Sequence, residues 1–255
     1  MQTHELMNDP GYTRDPVPFD LSNHVLSRSE LAVLERYRDD FASKHVLDIG
    51  CSSARLVPHL LELTPDYLGI DISPNKLASC RARYPAGRFL VADMRSLDAI
   101  YGTIDTAVAP ANVLDVLSHD ARIQVLTELH RVLVPGGLLV FSSHNRTWTE
   151  SGARPHLQRA DRMIEQLRCV GQFLVASVNH LRLSPLERST EQYALLDDAD
   201  HNYSVLHYYI DRETQMRQLT EAGFKLVETI DSQGSPLPPE CADVDSPSLL
   251  YVARR

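Results

Sequence analysis

The chain of 255 residues has few cysteines and fewer basic than acidic side chains. Cys51, Cys80, Cys169 and Cys241 are scattered without a C-x-x-C pair, which predicts free thiols in a reducing cytoplasm rather than a zinc site or disulfide framework. The net charge of −9 disfavours binding to nucleic acid or to an anionic membrane. No apolar run approaches the roughly 20 residues that span a bilayer, and no N-terminal signal pattern is visible. We therefore expect a cytoplasmic location.

Glycine is also scarce, with 11 residues in the chain, and the most informative turn contains only one. The apolar run from Val46 to Ile49 is interrupted by Asp48 and followed by the small residues Gly50-Cys51-Ser52-Ser53-Ala54. A helical apolar pattern then starts at Leu56. This order predicts a buried strand, a tight turn and a helix N-terminus, whose backbone N–H groups and dipole favour a bound ligand. In an open α/β sheet, ligands bind at such carboxyl ends of strands.

Strand and helix patterns alternate along the rest of the chain, which predicts βαβ units and a mostly parallel sheet. A capping box at Ser27-Arg28-Ser29-Glu30 opens the first helix, and Ser73 with Pro74 opens a later one. Pro135-Gly136-Gly137 predicts a turn into the fifth strand, 138–141. We divide the chain into an N-terminal arm and capping helix (1–44), an α/β core (45–145), a helical lid or substrate insertion (146–203) and the completion of the core (204–255).

Acidic residues occur at the ends of three successive predicted strands. Asp48 lies within the first, Asp71 follows the second and Asp93 follows the third. A carboxylate at the second position can accept hydrogen bonds from a ribose diol. Asp93 can reach the exocyclic amine of an adenine, with Met94 beside the ring. Three acidic residues in order along one edge of the sheet are a more specific signal than one.

At these motifs the chain resembles the class I S-adenosylmethionine-dependent methyltransferases. The resemblance covers roughly 46–145 and the chain from 205 onward, including the Ala222-Gly223-Phe224 ending before a late strand. The turn departs from the family's Gly-x-Gly-x-Gly pattern. The resemblance implies a doubly wound, seven-stranded, mostly parallel sheet, with an antiparallel last strand at 249–253 and a helical lid insertion after strand five. It implies S-adenosylmethionine as cofactor, bound by Asp48, Gly50, Cys51, Ser52, Arg55, Asp71, Ile72, Asp93, Met94, Ala109 and Asn112.

The methyl acceptor is expected near the ends of strands four and five. His144 is the candidate catalytic residue, as a base or substrate anchor, because histidine titrates near neutral pH; capping of loop backbone is an equally good interpretation. We predict that four further residues bind substrate: His24, Asn145, Trp148 and Tyr208. The alternatives are a solvated surface role for His24, anchoring of the lid for Trp148 and packing in the sheet for Tyr208.

Asp197, Asp198, Asp200 and His201 form an acidic run with a histidine. Carboxylates with histidine can bind divalent ions. Because the run lacks a calcium-loop pattern and lies in the insertion, we interpret it as a solvated loop. No metal is therefore predicted.

We expect the protein to transfer a methyl group to an O or N atom of a small molecule, because a lid and an acidic charge balance suit a small acceptor. A protein or tRNA methyltransferase is the alternative enzyme. A non-catalytic methyltransferase-like binding module is the alternative from another class, supported by the altered turn. The sequence leaves the oligomeric state open.

Overall fold

A computed structural model describes residues 25–51, 54–98, 100, 103–238 and 240–255. Seven α-helices occur in this part of the chain. They are α1 (Arg28–Arg36), α2 (Arg38–Phe41), α3 (Val57–Leu63), α4 (Pro74–Arg83), α5 (His119–Val132), α6 (Met163–Leu183) and α7 (Arg212–Glu221). The capping box of α1 and the Ser73 cap of α4 are present, so both predicted helix starts are confirmed.

The described residues form ten strands in one sheet. They are β1 (Val46–Ile49), β2 (Tyr67–Asp71), β3 (Arg88–Val91), β4 (Ile104–Ala109), β5 (Leu133–Asn145), β6 (Arg188–Ser189), β7 (Ala194–Asp197), β8 (Leu206–Ile210), β9 (Lys225–Ile230) and β10 (Ser248–Arg254). Strands β3-β2-β1-β4-β5 are parallel neighbours, and β10 lies antiparallel between β5 and β9. The predicted α/β fold with an antiparallel last strand is confirmed.

Two apolar layers cover the sheet because side chains alternate along its strands. Leu47 and Ile49 face a layer that includes α5 and α7, whereas Val46 faces a layer that includes α1 to α4. Helices on both faces make the sheet doubly wound, as predicted. None of the helices in the described part combines the length and apolar character needed to cross a membrane.

Strand β5 is longer than predicted, because Pro135-Gly136-Gly137 lies inside the strand rather than in a turn before it. The pairing of β5 with β4 shifts register across this segment, so the three residues form a bulge. The far end of β5 extends past β4 and pairs with β8 at Asn145 and Ile210.

Three strands lie beyond the seven that the resemblance implied. β8 pairs antiparallel with β7, and β7 pairs antiparallel with β6. Together with α6 these strands form an excursion from the sheet between β5 and α7. The excursion ends at Ile210, the last residue of β8. This excursion brings a hairpin to the carboxyl end of β5, where the acceptor is expected.

Candidate active site

The turn after β1 is shaped by two left-handed residues. Gly50 has φ +69°, and a Cβ on it would collide with Cγ2 of Val113, so this position requires glycine. Ala54 also has a positive φ, of 54°, which alanine adopts less readily. The turn therefore retains left-handed backbone although it has only one glycine. Ser52, predicted to bind the cofactor, lies outside the described residues.

The carboxylate of Asp48 is buried beneath this turn, with 1% exposure. Burial raises the pKa of Asp48 to about 7, although a hydrogen bond from Oη of Tyr67 to Oδ2, at 2.9 Å, acts against the increase. Among the described residues, Oδ1 of Asp48 has no hydrogen-bond partner. A buried acceptor of this kind fits a ligand that brings a donor, such as the ammonium group of a methionine moiety. The neighbouring Cys51 is buried, and burial raises the pKa of its thiol.

Asp71 is the last residue of β2, and Ile72 follows it. One oxygen of Asp71 accepts the backbone N–H of Ser73 at 2.9 Å, which fixes the carboxylate at the strand end. Ile72 exposes 44% of its surface. A partly exposed carboxylate beside an exposed apolar side chain fits a ribose joined to a flat ring.

Asp93, at the end of the third strand, is held by Arg95. Nε of Arg95 donates to both carboxylate oxygens at 2.9 Å, and this pairing lowers the pKa of Asp93. Met94 packs partly buried against the core. An adenine amine would therefore share Asp93 with Arg95.

Three other residues predicted to bind the cofactor differ in their surroundings. Nη2 of Arg55 donates to Glu30 of α1 at 2.8 Å, so this guanidinium links the segment after β1 to α1. Ala109 is fully buried in β4. Asn112 is left-handed with φ 55°, and its backbone N–H donates to Oγ of Ser142 at 2.8 Å.

His144 lies at the carboxyl end of β5, with 6% exposure, and is oriented by Asp115. Its Nδ1 is 2.8 Å from Oδ2 of Asp115, and its backbone N–H donates to the same oxygen. A carboxylate at Nδ1 places the imidazole proton there and leaves the lone pair on Nε2. That nitrogen lies 3.3 Å from the amide nitrogen of Asn112. His144 therefore presents a basic nitrogen beside the end of β4.

Asp115 is fully buried and forms an ion pair with Arg122 of α5. Burial alone would raise the pKa of Asp115, but the charge of Arg122 and the hydrogen bonds from His144 outweigh it and lower the pKa. Arg122 also donates to Oγ of Ser143 at 3.0 Å and to Gln215 of α7 at 2.7 Å. The network fixes His144 to both α5 and α7.

The other side of His144 faces β8. The rings of His207 and Tyr209 lie 4.9 Å from its ring. Oη of Tyr209 donates to Oδ2 of Asp198 at 2.7 Å, and Nδ1 of His207 is 3.0 Å from the same oxygen. Asp197 and Asp198 are 1% and 8% exposed, so the interpretation of this run as a solvated loop is wrong for both.

Tyr208 does not face this site, because neighbouring residues of a strand point to opposite sides. Its hydroxyl contacts His119 and Gln218, and its ring lies 4.7 Å below the guanidinium of Arg122. Tyr208 is thus buried among packing partners on the side of β8 away from His144, whereas Tyr209 lies on the side that faces it.

Asn145 is likewise used for structure. Its amide nitrogen donates to the carbonyl groups of Asp243 and Ser246, and its oxygen accepts from Thr147. The residue is fully buried, so it holds loops together rather than facing a ligand. Trp148 is partly exposed on the next turn, and His24 lies outside the described residues.

A cavity of about 390 Å³ lies between α5, α7 and the hairpin of β6 and β7. Its lining includes His119, Gln192, Thr214, Arg217 and Glu221. None of the residues predicted for cofactor or substrate lines it, so this cavity is separate from the candidate active site.

The local sequence around His144 gave no sign of the residues that surround it. Asp115 lies in a 3-10 turn at Val113–Val116, with no local pattern that marks a partner 29 residues later. His207 and Tyr209 were visible only as aromatic residues two apart on a strand, a spacing that puts them on one face.

Comparison with known proteins agrees with the fold. Residues 46–137 match the family model described as a methyltransferase domain. Malonyl-[acyl-carrier protein] O-methyltransferase of Salmonella typhimurium is 30% identical over 52% of this chain and 49% of that protein. Trans-aconitate 2-methyltransferase of Acidovorax ebreus is 30% identical over 49% of this chain and 47% of that protein. The similarity thus spans about half the length of these curated relatives.

A solved structure of 1,6-didemethyltoxoflavin-N1-methyltransferase from Burkholderia thailandensis, with S-adenosylhomocysteine bound, shares the fold. Its TM-score is 0.57 at 17% identity, over 89% of this chain and 78% of that one. Residues 46–137 therefore match a methyltransferase domain, and the chain shares its fold with a solved methyltransferase that binds S-adenosylhomocysteine, which confirms the predicted fold. Both findings support the predicted family, the class I S-adenosylmethionine-dependent methyltransferases, and the predicted cofactor.

Proposed function

We propose that the protein transfers a methyl group from S-adenosylmethionine to an O or N atom of a small molecule, and that His144 activates the acceptor. The observation that carries this proposal is the position of Nε2 of His144. It lies beside Asn112 at the adjoining ends of β4 and β5, and Asp115 fixes its tautomer. When bound, the cofactor supplies an electrophilic methyl group. The protein contributes alignment, for which effective molarities are worth roughly 7–11 kcal/mol.

Several residues support binding of the cofactor across the carboxyl edge of the sheet. Oδ1 of Asp48, which has no hydrogen-bond partner among the described residues, and the backbone around Gly50 would hold the methionine part of the cofactor. Asp71 and Ile72 would hold the ribose and one face of the adenine, with Met94 and Asp93 at its other edge. Cys51 and Asn112 lie at the turn and at the end of β4, where they would border the cofactor.

The burial of His144 supports a small acceptor. Because only 6% of this residue is exposed, the group that reaches Nε2 must enter a narrow space between Asn112 and β8. The excursion that carries α6 and β8 would act as the lid, with Trp148 at its start. Among the described residues no disulfide joins Cys51, Cys80, Cys169 or Cys241, which supports a cytoplasmic location.

An acceptor screen tests this function. The chain, with radiolabelled S-adenosylmethionine, is offered three acceptor sets: small hydroxy acids, phenols and amines; bulk tRNA; and bacterial proteins. We expect label in a small product only, and formation of S-adenosylhomocysteine that depends on the acceptor. Label in tRNA or protein would favour the alternative enzymes, and binding of S-adenosylhomocysteine without transfer to any set would favour a binding module.

A further inference from the structure

Three side chains from distant parts of the chain meet at the lid side of the candidate active site. They are His144 at the end of β5, Asp198 after β7 and His207 in β8, and all three are buried. Each offers one nitrogen or oxygen atom, and these atoms lie within 4.8 Å of one another. Nδ1 of His207 is 3.0 Å, and Nε2 of His144 is 3.9 Å, from Oδ2 of Asp198.

We propose that His144, Asp198 and His207 bind one divalent transition-metal ion at the acceptor position. Two imidazole nitrogens with one carboxylate form a donor set typical of Zn²⁺, Fe²⁺, Mn²⁺ and Co²⁺. Ligands at about 2.1 Å from a tetrahedral ion lie about 3.4 Å apart. The two distances from Asp198 fall on either side of this value, so small side-chain rotations complete the set.

The surroundings of the three ligands match those of protein metal sites. Ligand histidines usually donate their other N–H to a carboxylate, which fixes the ring and its tautomer. Asp115 does this for His144, at 2.8 Å from Nδ1. Tyr209 holds the carboxylate of Asp198 in the same way, at 2.7 Å. The amide of Asn112, now 3.3 Å from Nε2, would move aside for the ion.

Three protein ligands leave open positions on the ion, as in catalytic metal sites. This part of the inference rests on the proposed function, because it assumes that the acceptor lies at His144, which then activates the acceptor through the ion rather than by accepting its proton. A hydroxyl acceptor bound in an open position would lose its proton to water more readily, because a bound ion lowers the pKa of the hydroxyl. The oxygen lone pair then forms the O–C bond to the methyl group as the C–S bond of the cofactor breaks. A metal ion at this position therefore favours a hydroxyl compound as the methyl acceptor.

Cobalt binding tests the site directly. The full chain, without a polyhistidine tag and after treatment with a chelator, is titrated with Co²⁺ and followed by visible absorption and calorimetry. We expect one ion per chain. His207→Ala and Asp198→Asn should each weaken binding by more than about tenfold, because even the outer partners of ligands contribute about that much.

His156→Ala is the matched control, because this histidine lies exposed in the same excursion and should leave Co²⁺ binding unchanged. Circular dichroism and thermal melting of each variant show that it is folded. The proposed site would be overturned if the wild-type protein bound no Co²⁺. It would also be overturned if the folded Asp198→Asn and His207→Ala variants bound Co²⁺ as tightly as the wild type. Ion binding without methyl transfer would leave the metal site standing and remove the proposed function. Full transfer by chelator-treated protein would remove the role of the ion in acceptor activation.

Discussion

Nδ1 of His144 lies 2.8 Å from Oδ2 of Asp115, and both residues are buried. The same carboxylate binds Arg122, so a single aspartate joins the candidate catalytic residue to the core helix α5. Asp115 is therefore both a support of the fold and the residue that orients His144.

Asp115→Asn should destabilise the protein by about 3–5 kcal/mol at pH 7, because the buried charge of Arg122 loses its partner. The pKa of Asp115 is lowered in the folded protein. Its carboxylate therefore contributes stability above the unfolded pKa of about 4, and this contribution is lost as pH falls through the lower folded value. Urea unfolding of the wild type and the variant at pH 7 and at pH 3 measures the loss of stability and its dependence on pH. A variant as stable as the wild type at pH 7 would contradict the role of the ion pair.

Asp48→Asn should increase the stability of the ligand-free protein at pH 8, whereas Asp115→Asn should decrease stability. Because burial raises the pKa of Asp48 to about 7, the folded protein binds a proton that the unfolded chain releases between about pH 4 and pH 7. Stability from this group is present at low pH and falls as pH rises through that window, by up to roughly 4 kcal/mol. Unfolding of the ligand-free protein at pH 8 should show the variant to be more stable than the wild type, with a smaller difference at pH 5. Equal stability at pH 8 would mean that Asp48 ionises without cost.

Asp71→Ala should weaken binding of S-adenosylhomocysteine by about 1–3 kcal/mol, the range for a hydrogen bond to a charged group. Calorimetric titration measures the change. Asp66→Ala is the matched control, because Asp66 precedes the same strand at its other end and makes an exposed ion pair with Arg88. Equal affinities of the two variants would contradict a ribose contact at Asp71.

Gly50→Ala and Gly136→Ala separate crowding from backbone strain. Both glycines have positive φ, of 69° and 81°, so each substitution should cost about 1 kcal/mol or more in backbone energy. A Cβ at Gly50 meets Val113, whereas one at Gly136 meets nothing within 4 Å. Denaturant unfolding should show the larger loss for Gly50→Ala. Equal losses would mean that Val113 moves aside freely.

The sequence predicted those features of the fold that depend on neighbouring residues. Ser27 with Glu30 and Ser73 with Pro74 are local signals, and both helices start where they indicate. The predicted turn at Pro135-Gly136-Gly137 was wrong because these residue types form both turns and bulges. Which of the two forms depends on pairing with β4, which the local sequence does not show.

The candidate site was harder to predict because its contacts join distant segments. Asp198 belongs to an acidic run that looks solvated, but it is buried beside His207 and Tyr209 of β8. Tyr208, predicted to bind substrate, lies on the side of β8 away from His144, because a shift of one residue along a strand reverses the side that a side chain faces.

The central claim is that His144 activates the acceptor while other residues hold the cofactor. The most direct test compares His144→Gln with the wild type in both turnover and affinity for S-adenosylhomocysteine. We predict that turnover with a small acceptor falls by about 10²–10⁴, the range for loss of a group that acts on the acceptor's proton, while affinity stays the same. Unchanged turnover, or a loss of cofactor affinity equal to the loss of turnover, would contradict the account.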